Sequence, residues 1–384
     1  MRVTHVITRL VIGGAQENTV SSVLGLRRKP GLEVQLISGP GAGREGSLAS
    51  CLESERGLLR VMPTLVRPIS PRRDYATLLE LTRIFRETKP QIVHTHSGKA
   101  GILGRLAAAR AGVPVIVHTI HGPSFGPFQG PAANFIFKSA ERRAGKVTTH
   151  FISVADAMTR QYLAAGIGRP QQYTRIFSGF PLAPFLAAQN DPAWRTRWQI
   201  GPDDIVIGKI ARLFKLKGHD DLLSAAPAIL QRCPQIKFLL VGDGVGRERL
   251  QERARSLGLQ KHFIFTGLVP PEEIPRYLGI MDLVVHLSRR EGLARVLPQA
   301  LAAGKPVVAY DCDGAGEVCR PDETGFLLRP GDLPALSERV VQLAENAALR
   351  HRLGQCGREF VRAHFSVETM VDNIYALYLQ LTKP

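Results

Sequence analysis

The feature that most narrows what this chain can fold into is an unbroken alternation of short β-rich runs with longer helical stretches, arranged in two successive series. In the first series the runs fall at 3–8, 33–38, 91–94, 115–118 and 149–154, with helical periodicity over Tyr75–Thr88 and Lys99–Ala111. In the second they fall at Ile205–Ile210, Lys237–Val241, Phe263–Phe265, Leu283–His286, Pro306–Ala309 and Gly325–Leu328. Helices are predicted there over Gly218–Arg232, Arg247–Leu257 and Pro334–Glu345. Strands spaced by helices of this length build open parallel sheets covered on both faces. The Pro-rich and polar stretch from Phe180–Pro184 through Asn190–Pro192 separates the series and reads as a linker. At 384 residues the chain exceeds one ordinary domain. The expected fold class is α/β, with two parallel-sheet domains (residues 1–185 and 186–365) facing a cleft and an amphipathic helix closing the chain over 366–384.

Composition bounds the partners. The net charge of +17 is unevenly spread: residues 1–185 hold 24 Lys and Arg against 10 Asp and Glu, and the remainder 26 against 23. Such asymmetry predicts a polyanion or an anionic membrane surface facing the first half. No apolar run reaches the roughly 18–20 residues that span a bilayer, and Met1–Ile7 reads directly into a strand rather than a secretory signal. The five cysteines (Cys51, Cys233, Cys312, Cys319, Cys356) form no C-x-x-C pair, which predicts buried free thiols in a reducing cytoplasm.

Ligands of open parallel sheets bind beyond the carboxyl ends of the strands, beside helix N-termini. Six segments fall there. Gly13-Gly14 follows the first strand and lets a ligand approach backbone N–H groups. Two later strands end in His94-Thr95-His96 and His118-Thr119-Ile120-His121. These imidazoles are expected to face the cleft and donate to hydroxyls or a developing oxyanion; with no carboxylate or cysteine at ligand spacing, no metal is predicted. Arg212 and Lys217, in a basic loop before a helix, suit a diphosphate, and neutralising that group with side chains requires no divalent ion. Val241-Gly242-Asp243-Gly244 departs from the dinucleotide fingerprint and reads as a turn lining a nucleotide pocket. Finally, Glu291-Gly292 precedes an apolar helix. Glu291 and Gln299 lie eight apart, about two helical turns, which places both toward one cleft, with the Leu293–Arg295 N–H groups open to a phosphate.

In this order the motifs resemble the family-4 retaining glycosyltransferases of the GT-B fold, in which two Rossmann-like domains face a cleft. The resemblance rests on Gly13-Gly14-Ala15-Gln16, His94-x-His96-Ser97, Thr119-x-His121-Gly122, Arg212 with Lys217-Gly218, Val241-Gly242-Asp243-Gly244, Phe265-Thr266-Gly267, and Glu291-Gly292 through Gly304-x-Pro306-Val307-Val308. It implies an acceptor-side first domain, a nucleotide-sugar second domain and a final helix that crosses back to the first. It further implies that His121, Arg212, Lys217 and Glu291 are catalytic, and that Gly13, Gly14, Gly242, Asp243, Gly267, Leu268, Gly292, Leu293, Ala294 and Gln299 bind the donor. The implied reaction moves a sugar from a nucleotide-diphosphate sugar, UDP being the expected nucleotide, to a lipid-linked or saccharide acceptor in cell-surface polysaccharide or glycolipid synthesis. No metal or other cofactor is expected, and anomeric configuration is retained.

One position departs from the family. Its carboxylate pair is written E-x7-E, and here the second member is Gln299, which is expected to change nucleotide affinity. A nucleotide-sugar epimerase of the same fold and a basic nucleic-acid-binding or scaffold protein are the competing readings; no aromatic-basic RNA motif or helix-turn-helix pattern supports nucleic acid. The apolar and basic segment Pro123–Pro131 with Asn134–Lys138, Arg142 and Arg143 is a candidate surface for an anionic membrane, placing the protein in the cytoplasm or at the inner face of the cell membrane.

Overall fold

The computed structural model describes residues 1–41, 46–126 and 128–383. The chain divides into two units, Met1–Phe180 with Val367–Pro384 and Pro181–Ser366.

The first unit runs β1 (Arg2–Ile7), α1 (Gly14–Arg27), β2 (Glu33–Ser38), β3 (Leu59–Val61), α2 (Pro71–Thr88), β4 (Ile92–His96), α3 (Gly98–Ala111), β5 (Val115–Ile120), α4 (Pro131–Gly145), β6 (His150–Ser153), α5 (Asp156–Ala164) and β7 (Tyr173–Arg175). All pairings are parallel, in the order β3-β2-β1-β4-β5-β6-β7. Strands covered on both faces are buried end to end, as β4 and β5 are, and the polar side chains that end them need hydrogen-bond partners inside the fold. The helix Val367–Leu381 buries Met370, Val371, Ile374, Leu377 and Tyr378, a stripe at helical spacing, in a core shared with Val20, Val23 and Leu26 of α1. Lys29 pairs with Asp372, and the Tyr375 hydroxyl donates to Pro30 O at 3.1 Å, which fixes the register of that packing. Deeper in the unit, Arg105 of α3 and Glu141 of α4 form a fully buried ion pair at 2.6 Å.

The second unit begins with α6 (Ala183–Leu186) and α7 (Pro192–Arg197), so the stretch read as a linker holds one short helix and ends where the next begins. Asp191 caps α7 by accepting from Ala193 N at 2.9 Å and Trp194 N at 3.3 Å. There follow β8 (Ile205–Ile210), α8 (His219–Arg232), β9 (Ile236–Val241), α9 (Arg247–Ser256), β10 (Phe263–Gly267), α10 (Ile274–Gly279), β11 (Leu283–His286), α11 (Val296–Ala302), β12 (Val307–Tyr310), β13 (Gly325–Leu328), α12 (Leu333–Glu345) and α13 (Ala347–His364). The sheet is again parallel, in the order β10-β9-β8-β11-β12-β13.

In each sheet the strand order reverses at one place, between β1 and β4 and between β8 and β11. A crevice opens at such a switch point because the connections leave to opposite sides. Among the described residues no helix is long and apolar enough to cross a membrane. Of the cysteines, Cys233 and Cys319 are buried and Cys312 is partly so, but Cys51 and Cys356 are exposed, against the sequence expectation.

Candidate functional site

In the second unit the loops after β8 and β11 meet at the switch point. Lys217 forms an ion pair with Glu291, both half-buried, and His286 Nε2 at the end of β11 lies 3.8 Å from the same carboxylate oxygen. Burial opposes ionisation of Glu291, yet the Lys217 charge, His286, and hydrogen bonds from Lys217 and Ser288 hold its carboxyl below the usual range. Asp313 fixes the backbone by accepting from Glu291 N at 2.7 Å, and Gly314 N donates to Gly292 O at 3.0 Å.

The Lys217 loop is stitched to the Glu291 loop: Arg289 N donates to Leu216 O at 2.9 Å and the Ser288 hydroxyl to the same oxygen at 3.4 Å. Gly218 makes this approach possible. Its φ is +68°, and a Cβ would stand 2.1 Å from Leu287 O. The turn after β9 is laid on the Arg212 loop in a similar way. Leu213 N donates to Asp243 O at 2.9 Å, and Gly242, at φ +135°, would place a Cβ 2.3 Å from Ala211 O. Gly242 N bonds Gly267 O at 3.1 Å, and Arg247 pairs with Asp243 at 3.2 Å. Thus Arg212, Lys217, Gly242, Asp243, Glu291 and Gly292 lie on loops beyond the carboxyl ends of their strands, and Gly267 is the last residue of β10. Arg212 is exposed with its guanidinium 5.0 Å from the Phe214 ring centre, and Leu268 stands 79% exposed on the rim.

The helical relation between Glu291 and Gln299 does not hold. The helix α11 starts only at Val296, so Glu291, Leu293 and Ala294 precede it in a bent loop, and Gln299 alone of this set is helical and partly exposed. The glycine and proline-bounded run had no cap residue to mark the later start.

Two groups here were not singled out from the sequence. Lys209, next to the carboxyl end of β8, is wholly buried; burial and the Lys217 charge push its ammonium down to about 7, against the opposing pull of Asp221 and Glu291. Burial pushes His286 down to about 4, with Glu291 opposing. A lysine inside Ile205–Ile210 and a histidine closing Leu283–His286 were the available signals.

In the first unit Gly13 precedes α1 and Gly14 is its first residue, with Glu17 N bonded to Gly13 O at 2.9 Å. The histidines divide. His121 lies just past β5 and is partly exposed, whereas His94, His96 and His118 are buried and do not face open space, contrary to expectation. The register explains this: His5 pairs with His94 and His96 with Thr119, so alternate residues of three strands share one covered face, while Thr95 and His118 take the other. Ring nitrogens of His5, His94 and His96 lie within 4.8 Å of one another, close enough to hold a metal ion, but hydrogen bonds occupy both nitrogens of each ring.

Comparison with known proteins bears on this arrangement. Residues 13–177 match the family described as glycosyl transferase 4-like domain, and residues 190–360 match glycosyl transferases group 1. Over 324 residues the chain is 28% identical to the UDP-Gal:alpha-D-GlcNAc-diphosphoundecaprenol alpha-1,3-galactosyltransferase of Escherichia coli, covering 83% of each chain. It is 30% identical over 267 residues to a GDP-mannose-dependent alpha-(1-6)-phosphatidylinositol monomannoside mannosyltransferase of Mycolicibacterium smegmatis, covering 67% of this chain and 68% of the other. The crystal structure of Anabaena HepE in complex with UDP superposes with a TM-score of 0.82 at 23% identity, over 99% of this chain and all of that one. The fold is GT-B.

Proposed function

This chain belongs to the group 1 glycosyltransferases, and from that premise we propose that it transfers a sugar from a UDP-sugar to a lipid-linked saccharide acceptor, with retention of configuration and without a divalent metal. The observation that carries the reading is the Lys217–Glu291 pair at the β8/β11 switch point. A departing diphosphate needs positive charge, which Lys217 and Arg212 supply beside the start of α8. A sugar presents hydroxyls, and the ionised Glu291 accepts two hydrogen bonds from such a group. Each member of the pair trades its partner for a part of the donor, so neither charge is left unmatched. His121 contacts the sugar, Gly13 and Gly14 admit the diphosphate, and the Gly242, Asp243, Gly267 and Leu268 turns flank the nucleotide with Gln299 at the ribose.

The relative whose name gives UDP-Gal with a diphosphoundecaprenol-linked sugar supports both nucleotide and acceptor class; those naming GDP-mannose make the nucleotide the first point to test. Membership of a transferase family disfavours the epimerase and nucleic-acid readings. A hydrolysis and transfer screen over UDP-, GDP- and ADP-sugars, with chelator present, is expected to give turnover with a UDP-sugar and a product of unchanged anomeric configuration. Inverted product, or activity abolished by chelation, would remove the mechanism; a preference for GDP would remove the nucleotide assignment.

A further inference from the structure

A single chain of hydrogen bonds runs through the first unit and ends at His121. The Thr119 hydroxyl lies 2.7 Å from His94 Nε2, and His94 Nδ1 lies 2.6 Å from the Tyr378 hydroxyl. That hydroxyl is 3.2 Å from His5 Nε2, His5 Nδ1 is 2.9 Å from His96 Nε2, and His96 Nδ1 is 3.1 Å from His121 Nε2. Both nitrogens of His94, His5 and His96 are spent inside the chain.

The proton order of such a chain can be derived. A neutral imidazole has one N–H and one lone pair, so a ring that accepts at one nitrogen donates at the other. Burial keeps these rings neutral, pushing His5 down to about 3 and His121 to about 4, with His94 and His96 also well below the usual imidazole value. Two polarities remain in which Tyr378 both gives and receives. In one, Thr119 donates to His94 and each N–H or O–H then points onward through Tyr378, His5 and His96 to His121, so every proton has an acceptor. In the other, His94 donates to Thr119, whose own proton then needs a further acceptor. Thr119 is buried and makes no other side-chain hydrogen bond among the described residues, and an unspent buried hydroxyl is disfavoured.

We infer that this chain holds His121 as the Nδ1–H tautomer, so that it meets its ligand as a hydrogen-bond donor, with Thr119, His94, Tyr378, His5 and His96 as positioning residues. The inference rests on the reading of His121 as a contact to the donor sugar. A ring so held donates a hydrogen bond to a sugar oxygen through Nδ1–H and has no free lone pair with which to act as a base. A metal ion on His5, His94 and His96 would need lone pairs that Thr119, Tyr378 and His5 already engage.

The test is nitrogen NMR of protein labelled with ¹⁵N-histidine at neutral pH, His121 being assigned by its disappearance in His121→Asn. Expected is a proton-bearing Nδ1 and an unprotonated Nε2; a protonated Nε2 overturns the inference, as does a zinc ion retained on the three buried rings. Tyr378→Phe keeps the ring and deletes the proton that links His94 to His5. It is expected to turn the His121 signals into a mixture of tautomers and to lower kcat about tenfold with KM little changed. Thr119→Val breaks the chain at its other end and Thr119→Ser restores it, which covers the case where Tyr378→Phe does not fold. Unchanged His121 nitrogens in a folded Tyr378→Phe or Thr119→Val protein would sink the proposed linkage. No substrate enters these spectra, so a failed sugar-transfer reading shows separately, as His121→Asn leaving transfer intact.

Discussion

Lys217 and Glu291 stand 74 residues apart in sequence and share an ion pair, because the loops that carry them are bonded to each other through Leu216, Ser288 and Arg289. The side chains are 19% and 24% exposed, a setting in which charge pairs contribute on the order of 1 kcal/mol to stability. Lys217→Ala and Glu291→Ala should therefore barely move the melting temperature but lower kcat/KM by about 10²-fold or more. Steady-state kinetics alongside thermal denaturation separates these; equal loss of both would mean the pair is structural.

Gly218 offers a sharper geometric test. Alanine there meets Leu287 O at 2.1 Å and must keep a left-handed φ, which costs more than about 1 kcal/mol. Gly218→Ala should lower the melting temperature and also weaken donor binding, since Lys217 moves with the turn. Retention of full affinity by this variant would show that the position of Lys217 does not matter.

Acid should destabilise the protein well before its carboxylates titrate. His5, His121, His219 and His286 are held at about 3 to 4 when folded against 6.5 when unfolded. Between those values the unfolded chain binds more protons, so stability falls as pH drops. Each such histidine contributes about 1.4 kcal/mol per pH unit in that window. Urea midpoints measured at pH 7 and 5 should differ plainly; identical midpoints would contradict the burial of these rings.

On α4, Phe135 and Ile136 are 72% and 59% exposed beside Lys138 and Arg143. They carry the proposal that the protein docks on an anionic membrane. The expected surface is smaller than its sequence suggested: Phe125 is buried against Tyr162, Arg142 donates to Ala165 O at 2.7 Å, and Pro127 lies outside the described residues. Flotation with anionic vesicles should be lost in Phe135→Ser/Ile136→Ser with the melting temperature unchanged. Flotation that survives the double substitution would remove α4 from the proposal.

Periodicity made most of the strands legible, because strands buried on both faces are mostly apolar, β-branched runs bounded by turn residues. The short β3 and β7 were missed: Leu59–Val61 and Tyr173–Arg175 are three residues each, too few to show a period. Loop residues such as Lys217 and Glu291 were visible as charges beside glycines, but that they touch depends on which strands are neighbours, and spacing along the chain does not encode that. The same holds for the histidines. His94-x-His96 and Thr119-x-His121 each announce a shared face, yet only the lateral register reveals His5 as their neighbour, and only the final helix brings Tyr378.

That final helix has a consequence for how the protein is made. Synthesis proceeds from the amino end, so the second unit, Pro181–Ser366, is translated before the last element of the first. Until residues 367–381 emerge, α1 has no cover over Val20, Val23 and Leu26, and His5 and His94 wait for a hydroxyl. The half begun first is finished last, and its nascent form must keep an apolar face out of trouble for the time it takes to translate some two hundred residues.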